Sequence, residues 1–206
     1  MKQLSEHDIA EILRPLSPFY YWPNIGNLGD LLIAEGTRQF FDRYGLHFRE
    51  FRSGETAIPE GGRVALVFAG GARFTANWCS AEAVDIMLSP IVETSVVLPH
   101  SINGVDGLMA GLGPNCHLIC REQPSYDYCS SVQTKAKLYL ANDMAIALDL
   151  KALDCQSLDV PPEQLNGEER RTQRLLKGGL PERMKASMVS ASVRSMIRGE
   201  KKRVAF

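Results

Sequence analysis

The chain has 206 residues, of which 45% are hydrophobic and 23% are charged, and its formal net charge at pH 7 is −1. This composition is ordinary for a globular protein that buries a core, and it excludes a chain too polar to fold. The balanced charge gives no general attraction to nucleic acid or to membranes, and no apolar run approaches the roughly 18 residues of a membrane span.

The N-terminus and the cysteines indicate the compartment. The segment Met1–Glu6 lacks the apolar core of a signal peptide, so we expect a cytoplasmic protein, with peripheral association at the inner face of the membrane as a variant. The cysteines are odd in number and form no CxxC pair, which predicts reduced thiols and no metal. They are Cys79, Cys116, Cys120, Cys129 and Cys155. Cys116 and Cys120 would share one strand face and His117 the other, which disfavours a zinc site.

The stretch Asn24–Tyr44 predicts the opening βα unit of the fold. Its loop contains Gly26 and Gly29, and an amphipathic helical pattern follows, with Asp30 at the expected helix start. Gly45 is the predicted stop. The aromatic run before the loop, residues 19–22, has strand propensity. The loop lacks both the G-x-G-x-x-G spacing and the P-loop lysine, so by itself it favours a structural turn and cap.

Short apolar runs alternate with helix-compatible stretches along the rest of the chain. We predict strands at 19–22, 47–52, 63–69, 95–98, 116–120 and 137–140. We predict helices at 5–14, after the first glycine loop, at 81–91 and from residue 124 or 125. This alternation predicts an α/β fold with a Rossmann-like, doubly wound, mostly parallel sheet.

The pattern changes after residue 150. We predict an α/β domain over residues 1–155 and, over 156–206, a linker and helical crossover toward a second domain that is absent or truncated. Pro161 and Pro162 mark the linker, and Val204–Phe206 resembles the start of a strand that the chain does not finish.

Four predicted strands end in polar or glycine-rich clusters. These clusters are Gly70-Gly71-Ala72, Pro99-His100-Ser101, Arg121-Glu122 and Asn142-Asp143, and the first loop adds Asn27 and Asp30. The carboxyl ends of parallel strands meet at one rim of the sheet, where ligands bind. Polar loop residues also follow strands by chance, so the alternative of ordinary loops stays open.

The same segments carry a resemblance to a known family. In order they are N-x-G-N-x-G-D-x-L-I, G-G-A-R-F with Asn77-Trp78 beyond it, V-V-L-P-H-S-I, I-C-R-E-Q-P-S and Y-L-A-N-D-M-A. This ordered set, over about residues 20–150, resembles the polysaccharide pyruvyl transferases. The resemblance implies the N-terminal half of an enzyme similar to GT-B glycosyltransferases, with two facing Rossmann-like domains. It also implies transfer of pyruvate from phosphoenolpyruvate onto sugar hydroxyls as a ketal, in exopolysaccharide or cell-wall glycan biosynthesis.

The implied reaction assigns roles to residue types. It needs a general acid, a base and cationic groups for phosphate and carboxylate. We predict His100 as the acid/base, with a histidine bonded to loop backbone as the alternative. Asp30 could accept sugar hydroxyl protons or cap a helix. Arg121 could clamp an anion, or it could pair with Glu122 or Asp143.

The other rim residues are predicted to bind substrate, and several have a structural alternative. Ser125 could instead cap a helix, and Asn142 and Asp143 could fix their loop. The predicted substrate-binding residues, with Arg121, are Asn27, Gly29, Gly70, Gly71, Ser101, Glu122, Ser125, Asn142 and Asp143.

The expected ligands and partners follow from the resemblance. Phosphoenolpyruvate is the donor substrate and no further cofactor is expected. The acceptor is a glycan or a lipid-linked oligosaccharide, and a homo-oligomer or a partner chain could complete the site. Two alternatives remain, namely a sugar-nucleotide glycosyltransferase of GT-B-like architecture and a non-catalytic glycan-binding or partner subunit.

Overall fold

A computed structural model describes residues 3–24, 26–51 and 62–149 of the chain. The strands in this part are β1 (Gln3–Leu4), β2 (Phe19–Trp22), β3 (Phe48–Glu50), β4 (Val64–Phe68), β5 (Val92–His100), β6 (Cys116–Cys120) and β7 (Lys137–Ala141). The α-helices are α1 (Glu6–Leu13), α2 (Leu28–Arg43), α3 (Ala81–Met87), α4 (Asp106–Gly111) and α5 (Gln123–Ser131), and 3-10 helices cover Arg14–Leu16 and Met144–Ala147. The strands form one sheet in the order β1-β7-β6-β5-β4-β2-β3. Every neighbouring pair is parallel.

Helices cover both faces of this sheet. One buried cluster joins α1, α2 and the second 3-10 helix to one face of the strands, and a second cluster joins α3, α4 and α5 to the other. Neighbouring strand residues divide between the clusters, as Val96 and Val97 of β5 do. This alternation follows from the two-residue period of a strand. The predicted doubly wound, Rossmann-like α/β fold is confirmed.

The direction of winding reverses between β2 and β4. The connection from β2 through α2 leads outward to β3, whereas β4, β5, β6 and β7 follow one another in the opposite direction. The two neighbouring strands therefore send their following segments to opposite faces of the sheet. Such a reversal opens a crevice at the carboxyl ends of the strands, where ligands bind in folds of this type.

The start of α2 corrects one prediction. Asn27, and not Asp30, is the N-cap, and its Oδ1 accepts hydrogen bonds from the N–H groups of Gly29 (2.8 Å) and Asp30 (3.2 Å). Asp30 is the third helical residue, and its carboxylate accepts from the Asn27 N–H at 3.1 Å. This reciprocal pair is a capping box. Gly45 has a φ of 63°, as its predicted role at the helix end requires.

Each end of the predicted strands lies within three residues of its expected position, and β2 and β6 match at both ends. β1 is too short, and α4 too weakly patterned, for the sequence to have indicated them. Cys116 and Cys120 lie in the same cluster, as predicted, and Cys79, Cys116, Cys120 and Cys129 are free thiols. Cys155, the predicted linker, the crossover and the truncated strand lie outside the described residues. In the part of the chain that the structure describes, no helix is both long and apolar enough to cross a membrane.

Candidate functional site

Two loops contact each other at the carboxyl ends of β2 and β4, where the winding reverses. Asn24, just after β2, donates from Nδ2 to the Asp30 Oδ1 at 3.0 Å. Gly71, just after β4, lies against this pair, since a Cβ on Gly71 would stand 2.8 Å from the Asn24 Nδ2 and 3.3 Å from the Asp30 Oδ1. The first loop and the second glycine cluster therefore meet, as predicted.

Gly70 and Gly71 allow the chain to cross the end of β5. A Cβ on Gly70 would lie 2.7 Å from the Pro99 carbonyl oxygen, and Gly71 has a φ of 131°, which side chains rarely permit. The Gly71 carbonyl accepts a hydrogen bond from the Ser101 N–H at 2.8 Å. The glycines thus hold the loop after β4 alongside the residues that follow β5, which is a structural reason for their presence.

The buried side chain of His100 holds the loop after β4 in place. Its Nε2 accepts a hydrogen bond from the Phe74 N–H at 3.1 Å, and its Nδ1 lies 3.1 Å from the Ala69 carbonyl oxygen, to which it donates. The side chain is 1% exposed. Burial lowers its pKa to about 3, and the charges of Arg121 and Arg73 act in the same direction. A neutral imidazole with both nitrogens bonded to backbone is a poor proton donor, so the geometry corrects the predicted acid/base role and favours the structural alternative.

Arg121 organises the neighbouring part of the rim. Its Nε lies 2.7 Å from the Ser101 Oγ and 3.1 Å from the Glu122 Oε2, and its Nη1 lies 2.9 Å from the Asp143 Oδ2. The Ser101 hydroxyl donates to the Glu122 Oε2 at 3.0 Å. The Arg121 side chain is 16% exposed. These contacts are the predicted ion-pair alternative, and a guanidinium already held by two carboxylates is poorly suited to clamp a further anion.

Ser125 is directed into the protein and away from the crevice. It is buried, its Oγ accepts from the Ile102 N–H at 2.8 Å, and it donates to Glu122. The residue before α5 is Glu122, and Ser125 is the third helical residue, so it does not cap the helix through its side chain. The predicted substrate contact and the predicted cap are both corrected, because the hydroxyl instead ties the segment after β5 to α5.

Asn142 and Asp143 fix the loop after β7. The Asn142 Oδ1 accepts from the Gln3 Nε2 at 2.8 Å, which connects this loop to β1. The Asp143 Oδ1 accepts from the Ala145 N–H at 2.9 Å and so caps the following 3-10 helix. With Arg121 on its other oxygen, Asp143 completes a series of contacts from Asn24 to Asn142. The structure therefore brings together every predicted rim segment, although most of the predicted polar groups hold one another.

Two residues of the loop after β4 were not among the predicted site residues. Arg73 lies with its guanidinium carbon 5.2 Å from the centre of the Trp22 ring. The Trp78 side chain is 73% exposed. The backbone N–H of Trp78 donates to the Thr75 carbonyl oxygen at 2.9 Å and so closes a turn. The signal that could have found them is position, since both follow Gly71 in the motif-bearing loop.

The rest of the described structure offers no competing cluster of metal ligands. Among residues 3–24, 26–51 and 62–149, no group of three or more His, Cys, Asp or Glu side chains is arranged to hold a metal ion. A cavity of about 150 Å³ lies at the opposite end of the sheet, lined by residues such as Val92, Ser95 and Cys116. It is remote from the rim because these residues begin β5 and β6.

Comparison with known proteins supports the fold. No family profile matches the chain, and no curated protein is similar to it. A crystal structure of a functionally uncharacterized protein from Klebsiella pneumoniae subsp. pneumoniae NTUH-K2044 is similar, with a TM-score of 0.60 and 23% sequence identity. The similarity covers 84% of this chain and 73% of that one. At this identity the likeness concerns the fold alone.

Proposed function

We propose that the chain takes part in the transfer of pyruvate from phosphoenolpyruvate to sugar hydroxyls as a ketal. One observation carries the proposal. The five segments that resemble polysaccharide pyruvyl transferases are spread over about 120 residues, yet they meet at the carboxyl rim of one parallel sheet. Contacts from Asn24 through Gly71, Ser101 and Arg121 to Asp143 join them. A rim of this kind is where α/β proteins bind small ligands.

The proposed chemistry proceeds in balanced steps. A proton is added to the methylene carbon of phosphoenolpyruvate, which leaves an oxocarbenium-like centre at the carbon bearing the phosphate. One sugar hydroxyl attacks this carbon and loses its proton, and the bond to the phosphate oxygen then breaks to release inorganic phosphate. A second hydroxyl attacks the same carbon, gives its proton to the released phosphate, and closes the ketal. The protein must therefore supply proton transfer and hold the anionic groups.

Glu122 is the rim carboxylate that we assign to proton transfer with the sugar hydroxyl. Its side chain is 32% exposed, whereas that of Asp143 is 14% exposed, so Glu122 is the more accessible partner of Arg121. Arg121 and Ser101 hold its Oε2 in place, and Ser125 donates to its Oε1, which keeps one lone pair to accept from a sugar hydroxyl. An oriented, partly accessible carboxylate is a suitable general base, and His100 is excluded from that role by its burial.

Phosphate release from phosphoenolpyruvate by the purified chain tests the proposal. With a panel of glycan acceptors we expect acceptor-dependent release, reduced about 100- to 10,000-fold in Glu122→Gln, which is the usual range for loss of a general base. Glu93→Gln is the matched control, because Glu93 is an exposed glutamate at the start of β5, whereas the rim lies at the end of that strand. Equal release with and without acceptors would contradict transfer. Turnover of UDP- or GDP-sugars instead would favour the glycosyltransferase alternative.

A second candidate function, glycan binding without turnover, is favoured by Trp78. An exposed indole ring in the loop after β4 can stack on the apolar face of a sugar, since tryptophan combines a large apolar surface with a polar N–H. It is the one aromatic side chain among the strongly exposed large apolar residues of the described part. This candidate keeps the acceptor and omits the reaction.

Replacing Trp78 with alanine should weaken glycan binding in either case. We expect a loss of about tenfold in acceptor affinity, or about 1.4 kcal/mol, because full burial of a large apolar side chain contributes roughly 1.5–3 kcal/mol and a stacked ring is covered on one face. Isothermal titration with the acceptor that gives the strongest signal would measure it. Ile146→Ala is the control, since Ile146 is another exposed apolar residue that follows a strand at the same rim. Unchanged affinity in Trp78→Ala would remove this residue from the site.

A further inference from the structure

The guanidinium of Arg73 lies over a buried aromatic ring where the winding of the sheet reverses. Arg73 comes two residues after Gly71, and its guanidinium carbon lies 5.2 Å from the centre of the Trp22 ring. Trp22 is 6% exposed and packs against Phe51 and Phe68, with ring centres 5.1 and 4.7 Å away. A buried ring held in this way restrains a guanidinium that lies over its face, and a contact with the ring face leaves the N–H donors of the guanidinium edge able to bond a ligand.

The charge environment of Arg73 differs from that of Arg121. Arg121 touches two carboxylates, at 3.1 and 2.9 Å. No ion pair between Arg73 and a carboxylate occurs among the residues that the structure describes. Asp30 lies against Gly71, and its two oxygens accept from the Asn24 Nδ2 and the Asn27 N–H. Of these two arginines, half-buried Arg73 is therefore the one whose charge is not paired with a carboxylate of the described residues.

The charge of Arg73 acts on two neighbouring titratable groups. Besides burial, which is the main cause, Arg73 contributes to the lowered pKa of His100. Burial raises the pKa of the Cys79 thiol and Arg73 opposes that change. His100 ends β5 and Cys79 lies near the end of the loop after β4, so the Arg73 charge acts on both of these elements.

We propose that Arg73 binds the oxyanion of a small ligand, a carboxylate or a phosphate, in the crevice between β2 and β4. Guanidinium edges match such groups through paired N–H donors. Under the proposed function the ligand is phosphoenolpyruvate, and Arg73 takes the anion-clamping role that the sequence had suggested for Arg121. That identification rests on the proposed function, whereas oxyanion binding at Arg73 does not.

The chain reports on this site through its own fluorescence. It has two tryptophans, so Trp78→Phe leaves Trp22, under Arg73, as the sole reporter. In that background we expect a saturable change in emission on titration with phosphoenolpyruvate or inorganic phosphate, and no change with chloride at equal ionic strength. Arg73→Gln should weaken binding at least tenfold. Arg73→Lys should restore it only in part, because a lysine offers a point charge without paired donors.

The matched control is Arg63→Gln. Arg63 precedes β4, at the opposite end of the strand from Arg73, and it is exposed beside Glu93. The Arg63→Gln variant should bind phosphoenolpyruvate with the same affinity as the parent protein. Circular dichroism melting of each variant checks that it is folded, and equilibrium dialysis with labelled phosphoenolpyruvate measures binding independently of emission.

The outcomes separate this inference from the proposed function. Binding that is absent in the parent, or equal in Arg73→Gln and the parent, overturns the inference. Binding that depends on Arg73 without acceptor-dependent phosphate release leaves the inference standing and removes the proposed function. Acceptor-dependent phosphate release that persists undiminished in Arg73→Gln supports the proposed function and overturns the inference that Arg73 binds phosphoenolpyruvate.

Discussion

Acidification from pH 6.5 toward pH 3 should destabilise the protein strongly, and His100→Gln should reduce that effect. Burial lowers the pKa of His100 from about 6.5 to about 3. In this window the unfolded chain binds a proton at His100 that the folded protein does not bind, so stability falls as the pH falls. At 1.36 kcal/mol per pH unit, the contribution is at most about 5 kcal/mol. It is fully lost near pH 3 and fully present above pH 6.5.

The His100→Gln variant separates this proton linkage from the loss of hydrogen bonds. Glutamine can accept from the Phe74 N–H but leaves the Ala69 carbonyl without its donor, which should cost about 1–3 kcal/mol at pH 7. The variant is thus less stable at neutral pH, yet its unfolding free energy should vary less between pH 6.5 and 4. Urea unfolding at several pH values measures both. His47→Gln is the control, because His47 is exposed. Parallel pH profiles for the parent and His100→Gln would contradict the buried, neutral histidine.

The fold could be predicted from the sequence because its central strands are covered on both faces. β4 and β6 are short apolar runs bounded by turn residues, and both were found at their predicted places. β5 extends two residues beyond its predicted end, through Pro99, because the pairing with β6 is irregular between Val97 and His100. An irregular register tolerates the missing N–H of a proline.

The roles of the rim residues could not be predicted because they depend on distant segments. The sequence places His100 at a strand end, but its partners, Ala69 and Phe74, are 31 and 26 residues away. They reach it only because Gly70 and Gly71 let the loop cross β5. In the same way, Arg121 acquires Asp143 from across the neighbouring strand, 22 residues on. The sequence therefore indicated which side chains gather at the rim, but the choice between ligand contact and mutual pairing required the structure.

Arg121→Met should destabilise the protein by about 2–3 kcal/mol. It removes the positive charge between Glu122 and Asp143, and breaking a fully buried ion pair costs roughly 3–5 kcal/mol, which we reduce because these side chains are partly exposed. Urea unfolding at pH 7 would measure the loss. Arg14→Met is the control, since Arg14 pairs with Glu11 at 3.1 Å on the surface, and such pairs contribute about 0–1 kcal/mol.

Adding Asp143→Asn to Arg121→Met then distinguishes pairing from anion binding at this position. The second change removes one of the two carboxylates left without a partner, so stability should recover in part. If Arg121 only holds the rim together, phosphoenolpyruvate should bind the double variant about as well as it binds the parent. If Arg121 clamps the ligand, binding should stay weak although the fold has recovered. We expect the double variant to bind phosphoenolpyruvate about as well as the parent does. Arg121 already contacts Ser101, Glu122 and Asp143, whereas the guanidinium of Arg73 lies over the Trp22 ring.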